Sequence, residues 1–265
     1  MTTPVLELRD IGINFGGLKA LEDIDLTLQP GEFLSVIGPN GAGKSTLFNI
    51  ISGIYTPTTG TVTVNGERIT RFRPDAMHAR GIGRTFQVAR PIGSLSVRDN
   101  ILLGTGGHRM RRLVTALRAR GKDRELRARV DDLLELTGLT GLADRSASEL
   151  TPGDQRRLEI ARALGDEPSV VLLDEPAAGI GADGMGQLAE LIRAIHARGI
   201  AVVLVEHYVG LALALCDRAM VLESGRILAE GSADEIRRDE SVIAAYLGTR
   251  RHTREATTAK VPGHE

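Results

Sequence analysis

The stretch Phe33-Leu34-Ser35-Val36-Ile37-Gly38-Pro39-Asn40-Gly41-Ala42-Gly43-Lys44-Ser45-Thr46 decides the fold. Its first five residues, apolar but for Ser35, read as a strand buried on both faces. The glycine-rich turn that follows opens onto Lys44 to Ser52, whose apolar spacing is helical. Strand, glycine turn, Lys-Ser and helix come in the order that a phosphate-binding loop requires. Glycines let backbone N–H groups converge on phosphate oxygens, and the helix N-terminus adds the positive end of its dipole. Lys44 supplies a point charge for the β and γ phosphates, and the Ser45 hydroxyl is placed for Mg²⁺, so a phosphate chain and Mg²⁺ are the expected ligands of Gly38 to Thr46. The bland alternative is a glycine turn without a ligand. Composition argues against it, because only four of the 33 basic residues are lysines (Lys19, Lys44, Lys122, Lys260) and one of them falls at the required spacing.

A second centre lies at Val170-Val-Leu-Leu-Asp174-Glu175-Pro176, where an apolar strand delivers two acids to its carboxyl end. In open parallel sheets ligands bind at that end. Asp174 is placed to hold Mg²⁺ directly or through water, and Glu175 to take a proton from an attacking water. A strand ending in Asp-Glu is by itself as well explained as a solvated strand terminus. The phosphate loop upstream is what turns the reading toward chemistry.

Outward from these two motifs, alternating Val5 to Ile13, Ala20 to Leu28 and Thr61 to Ile69 read as half-buried strands, the last with an Asn65-Gly66 turn. A third continuous run, Ala201 to Val205, precedes polar residues and follows the helical Asp183 to Arg198. Buried strands alternating with helices imply a parallel α/β sheet. From Pro91 to Ala163 the pattern turns helical, with Ser96 to Leu103, Asp123 to Thr137 and Pro152 to Leu164 as candidates. After a short strand at Arg226 to Glu230, a helical segment at Asp234 to Leu247 ends the fold, and the polar, aperiodic residues from Thr249 onward are expected to be a disordered tail.

These features together resemble the ATP-binding subunits of ABC transporters from Val5 to Gly248. That family carries a signature before its carboxylate motif, and Leu150-Thr151-Pro152-Gly153-Asp154-Gln155-Arg-Arg-Leu-Glu-Ile-Ala-Arg-Ala-Leu164 occupies that place. Physically it is a capped helix start, with Thr151 as N-cap, Pro152 at the first helical position and Asp154 at capping-box spacing. The resemblance implies that Thr151 and Gly153 face the γ-phosphate of ATP held by an opposite subunit, in a head-to-tail homo- or heterodimer. It further implies that Gln87, in Gly83-Arg-Thr-Phe-Gln87, touches Mg²⁺ or the attacking water, that His207 contacts the γ-phosphate, and that Phe15 stacks on adenine. Taken alone, Gln87 is uninformative, His207 reads as structural and Phe15 as a packed aromatic.

The implied fold is a P-loop NTPase with a RecA-like α/β core, an antiparallel β lobe and an inserted helical subdomain. The ATP-binding domain spans 1–248, with lobe and core at about 1–90 and 165–231, the insert at about 91–164 and a C-terminal helical segment at 232–248. Two departures stand out. Where the family reads Ser-Gly-Gly-Gln, this chain has Thr151-Pro152-Gly153-Asp154, which removes one backbone donor and adds a carboxylate beside an anion. The loop after Glu175 ends in Gly181 where the family has Asp or Asn.

Finer features resemble the larger ATPase of branched-chain amino acid importers: Gly81-Ile-Gly-Arg-Thr-Phe-Gln87, Leu95-Ser-Val-Arg-Asp-Asn-Ile101, Leu173-Asp-Glu-Pro-Ala-Ala-Gly179 and Val242-Ile-Ala-Ala-Tyr-Leu-Gly248. That resemblance implies transmembrane permease subunits as partners and, indirectly, a solute-binding protein; urea or amide importers are the near alternative. A regulatory partner with one inactive site in an asymmetric pair is the rival from another class.

Composition bounds the rest. The 265 residues, 42% hydrophobic and 25% charged, suit an ordinary globule with about two domains or one with an inserted lobe. A net charge of -1 gives no global field for nucleic acid, and the Arg-rich stretch 108–129 is interleaved with acids and lacks aromatics to stack on bases. A soluble DNA-repair or translation factor is disfavoured on the same ground. One cysteine, Cys216, excludes an intrachain disulfide and fits a reducing compartment. No apolar run approaches the roughly 18 residues of a membrane span. The expected location is therefore cytoplasmic, and the resemblance implies a peripheral place on the inner face of the cell membrane through permease subunits.

Overall fold

Phe33–Ile37 forms β3, and every residue of it is buried. The computed structural model describes residues 3–85, 91–105 and 124–246, the side chains of Ala182 and Asp183 excepted. β3 pairs in parallel with β8 (Ala201–Val205) on one side and β9 (Arg218–Glu223) on the other. Beyond β8 come β7 (Val170–Asp174) and β6 (Ile82–Arg84), also parallel, while β10 (Arg226–Gly231) closes the opposite edge antiparallel to β9. The order is β10-β9-β3-β8-β7-β6. Alternate residues of the central strands feed two different cores. Leu34, Val36, Leu172 and Val203 join one cluster, whereas Phe33, Val171, Leu173, Val202 and Leu204 join another. Burial on both faces explains why these strands read as continuous apolar runs.

The first cluster is shared with a second sheet of β1 (Leu6–Phe15), β2 (Leu18–Leu28), β4 (Thr59–Val64) and β5 (Glu67–Arg68), in the order β2-β1-β4-β5 and antiparallel throughout. Between the two sheets runs α1 (Lys44–Ile51), contributing Leu47, Phe48, Ile50 and Ile51. The expected Asn65-Gly66 turn joins β4 to β5 with both residues left-handed, at φ 49° and 79°, the conformation that a two-residue hairpin needs.

On the other face of the core sheet lie α3 (Val97–Gly104), α4 (Arg124–Leu136), α5 (Pro152–Ala163) and α6 (Ala182–Ala197), preceded in the chain by the single-turn α2 (Pro74–His78). Val97, Ile101, Leu133, Leu158, Ile160 and Ile192 fill the second cluster. α7 (Val209–Leu215) and α8 (Ala233–Arg238) pack with Ile37, Ala219 and Val221 in a third. The C-terminal helical segment is two helices rather than one. Asp239 is extended, at φ -69° and ψ 117°, and its carboxylate accepts the N–H groups of Ser241 at 2.8 Å and Val242 at 3.1 Å, starting a new helix over 240–246. An acid able to cap a helix breaks the periodic pattern at that point.

Gln87, the Arg-rich stretch up to residue 123 and the tail from Thr249 lie outside the described residues. Among the described residues no helix is long and apolar enough to cross a membrane.

Candidate functional site

The chain leaves β3 through Gly38, where φ is +149° and a Cβ would stand 2.1 Å from the Leu222 carbonyl oxygen. Only glycine fits that approach. The turn ends at Gly43, which caps α1 with a left-handed backbone and no side-chain hydrogen bond. Leu47 N–H makes the first bond of this helix, to Gly43 O at 2.9 Å. The N–H groups of Lys44, Ser45 and Thr46 therefore face out of the helix start without an intrahelical acceptor, at the positive end of the dipole. Glycine geometry plus bare donors is a cradle for an anion such as a phosphate chain.

Lys44 is buried, and its Nζ donates to the carbonyl oxygens of Gly38 at 2.7 Å and Pro39 at 2.9 Å. Burial pushes its ammonium pKa down, while the charges of Glu175 and Asp174 act upward. A desolvated cation beside a ring of backbone donors is the environment in which an added anion gains most.

Two carboxylates, Asp174 and Glu175, face this loop from the end of β7, which is in register with β8 at Asp174 and Val205. Asp174 is buried, its backbone N–H donates to Thr85 Oγ1 at 3.2 Å, and its Oδ2 accepts from Arg84 Nη2 at 3.0 Å. Burial raises its pKa, and the guanidinium of Arg84 pulls the other way. The Nη1 of Arg84 donates in turn to Asn49 Oδ1 at 2.8 Å and Ser52 Oγ at 2.5 Å, both on or next to α1. Arg84 is thus a bracket between the phosphate-loop helix and the end of β7. Sequence reasoning did not single it out, although a cation in a short strand otherwise facing core is itself a signal that a buried acid lies opposite.

Glu175 follows with φ +46°, a conformation rare outside glycine, held by its N–H to Val205 O at 2.9 Å. Its Oε1 lies 2.7 Å from His207 Nε2, and His207 is half exposed. Backbone held in a sparsely populated region next to a carboxylate and imidazole pair is what an active site stores. The pair can hold a proton and pass it on. Asp174 and the Ser45 hydroxyl offer hard oxygen donors, the ligand class of Mg²⁺. Among the described residues no cluster of three or more His, Cys, Asp or Glu is assembled to hold a metal, so a cation here would complete its shell with phosphate oxygens and water, as Mg²⁺ commonly does.

The structure therefore gathers Gly38 to Thr46, Asp174, Glu175 and His207. Phe15 sits at the end of β1, 43% exposed, with its ring edge-on to Tyr55 at 5.2 Å; β2, its hairpin partner, packs against α1. Thr151 is confirmed as the N-cap of α5, accepting Asp154 N–H at 3.2 Å and donating to Asp154 Oδ2 at 2.7 Å. Asp154 is also paired with Arg157. The contacts among Thr151, Asp154 and Arg157 run within the helix, and Arg157 Nη1 also donates to Thr137 O at 3.3 Å. Deeper in α5, buried Arg156 pairs with Glu159 at 2.9 Å and its charge reaches Asp174.

Comparison with known proteins follows the same lines. A family model described as ABC transporter matches residues 21–178, and one described as branched-chain amino acid ATP-binding cassette transporter matches residues 226–252. The chain is similar to the high-affinity branched-chain amino acid transport ATP-binding protein BraF of Pseudomonas aeruginosa, with 36% identity over 94% of this chain and 99% of the relative. It is similarly 37% identical to LivG of Escherichia coli, which bears the same description, with the same coverage. Among solved structures, the ADP conformation of MJ1267, an ATP-binding cassette of an ABC transporter, superimposes with a TM-score of 0.81 at 31% identity, covering 93% of this chain and 100% of that one. A dimeric structure of the bacterial ABC transporter cassette MJ0796 gives 0.71 at 27% identity, covering 86% and 98%.

Proposed function

Because this chain belongs to the ABC transporter family of ATP-binding cassettes, we propose that it is the ATP-hydrolysing subunit of an importer for branched-chain or related amino acids. The descriptions of BraF and LivG support the solute class. In this reading the backbone donors from Gly41 to Thr46 and the Lys44 ammonium bind the phosphates of ATP, and Phe15 stacks on its adenine. Ser45 and Asp174 hold Mg²⁺, with Gln87 as a further contact. When bound, Mg²⁺ neutralises charge on the phosphate oxygens. Glu175 accepts the proton of the attacking water, and His207 steadies the Glu175 carboxylate and reaches the γ-phosphate. Thr151 and Gly153 face the nucleotide of a second cassette through the backbone of the helix start rather than the Thr151 hydroxyl, which Asp154 engages, so that closure of the pair on ATP drives permease subunits fed by a solute-binding protein. The chain works in the cytoplasm, held at the inner face of the membrane by those permeases.

The observation that carries this reading is the 2.7 Å contact of Glu175 with His207 beside the bare phosphate-loop helix. Its test is Glu175→Gln in the assembled transporter: a complex that retains ATP, assembles as a stable pair and loses turnover at least a hundredfold. Near wild-type hydrolysis would overturn the assignment of the base. Uptake of labelled leucine rather than urea by reconstituted vesicles would support the solute class.

One observation favours a second reading. The start of α5 has its Asp154 N–H already taken and carries a carboxylate, which suits an asymmetric heterodimer in which one of two ATP sites is inactive. Hydrolysis by the mixed pair but not by the homodimer would favour it.

A further inference from the structure

Glu206 is buried, with 1% of its surface exposed, and stands directly after β8 as Glu175 stands directly after β7. A carboxylate taken out of water needs compensation, most often a paired cation. Here the partners are backbone amides. Glu206 Oε1 accepts from Ala177 N–H at 2.7 Å, Oε2 accepts from His207 N–H at 3.1 Å, and Tyr208 N–H is a third donor. Burial pushes its carboxyl pKa up, the three amides pull it down, and the neighbouring charge of Glu175 pushes it up again. Convergent N–H groups stabilise the ionised form.

The three donors come from two different loops. Ala177 lies two residues beyond Glu175, in the loop leaving β7, whereas His207 and Tyr208 lie in the loop leaving β8. These loops carry the two side chains whose 2.7 Å contact makes the candidate proton-handling pair. Apart from the bond of Glu175 N–H to Val205 O at 2.9 Å, each loop is anchored by its own strand, and the left-handed backbone of Glu175 gains from further support.

We propose that Glu206 is a positioning residue that splices these loops, fixing Glu175 and His207 at hydrogen-bonding distance through the amides of Ala177, His207 and Tyr208. The inference rests on the reading of Glu175 as base and His207 as its companion. A side chain built to accept from both loops sets the separation of the pair more tightly than the strands alone, since a misplacement of about 1 Å can cost a hundredfold in rate. An uncharged surrogate of the same size cannot do this, because the amide NH₂ of glutamine meets N–H donors on one side.

The test uses the full-length chain with ATP and two variants. Glu206→Asp keeps the charge but shortens the reach by one methylene, and Glu206→Gln keeps the length but loses an acceptor. Both are expected to lower kcat about tenfold or more while the KM and Kd for ATP stay within about twofold. Amide exchange of peptides covering Ala177 and His207–Tyr208 should speed up together in Glu206→Gln, and in Glu206→Asp at Ala177 first, with α1 unchanged. In a Glu175→Gln background Glu206→Asp should cause no further loss of turnover, because both act on one step. A kcat within twofold of wild type, a parallel rise in KM, or faster exchange in only one loop of Glu206→Gln would overturn the proposal. Should Glu175→Gln itself retain turnover, the base reading falls, and the exchange data still decide whether Glu206 joins the loops.

Discussion

Two helices begin where the sequence places phosphate, and they begin in opposite chemical states. α1 is capped by Gly43, which brings no side chain, so the donors of Lys44, Ser45 and Thr46 are left to a ligand. α5 is capped by Thr151, its first position is Pro152 with no N–H at all, and the N–H of its third position, Asp154, is already taken by the Thr151 hydroxyl. Around α1 the nearest charge is the buried ammonium of Lys44; around the start of α5 it is the carboxylate of Asp154, paired with Arg157. The same backbone geometry, a helix N-terminus, thus offers bare donors beside a cation at one place and partly occupied donors beside a carboxylate at the other. In both cases the residues at the cap and the first turn, rather than the helix dipole, make the difference.

Removing the charge from the stronger site should have the largest effect. Lys44→Ala takes away the one side-chain cation of the phosphate loop and leaves the carbonyls of Gly38 and Pro39 without their donor. ATP affinity is expected to fall about a hundredfold or more, the scale of a buried charge-assisted contact of roughly 3 kcal/mol. Titration with fluorescent ATP measures it. Retention of affinity within a few-fold would mean that the backbone donors suffice, and that the contrast between the two helix starts lies in their caps alone.

The weaker site should respond in the opposite sense. Asp154→Asn removes a negative charge from the start of α5 while keeping an acceptor for the Thr151 hydroxyl. In a Glu175→Gln background, ATP-driven pairing of two cassettes is expected to tighten about fivefold, the scale of roughly 1 kcal/mol for a charge at a helix terminus. Sedimentation over a range of protein concentrations would read it. A weaker pair would show instead that Asp154, by holding Arg157, arranges the face that the partner meets.

How much of this was legible in the sequence follows the reach of each interaction. The phosphate loop and β7 were readable because each is local: β3, β7 and β8 are apolar runs but for Ser35 and the terminal Asp174, and glycines sit where the backbone must turn left-handed. The Thr151 cap and the Asn65-Gly66 hairpin are likewise contained within four residues. β9 was not readable, since the run Ala219 to Leu222 suits a helix or a strand equally. Nor were Arg84 and Glu206. The partners of Arg84 lie 32, 35 and 90 residues away, and Glu206 reaches an amide 29 residues back. A charged residue at a strand end is ambiguous until the topology shows which loop it faces, and strands β6, β7 and β8 become neighbours only in the folded sheet.

The smallest expected effect separates the cap of α5 from its function. Thr151→Ala deletes the acceptor of Asp154 N–H and the donor to Asp154 Oδ2. Loss of such a cap costs about 1 kcal/mol, which for a chain of this size lowers Tm by roughly 2–4 °C, and ATP binding to α1 should be untouched. The same change, however, releases Asp154 N–H toward whatever anion approaches the helix. Thermal stability should therefore fall while ATP-driven pairing holds steady or improves slightly, so the two measurements move apart. If pairing falls in step with Tm, the Thr151 hydroxyl is itself a phosphate contact, and the start of α5 is closer in kind to that of α1 than its own hydrogen bonds imply.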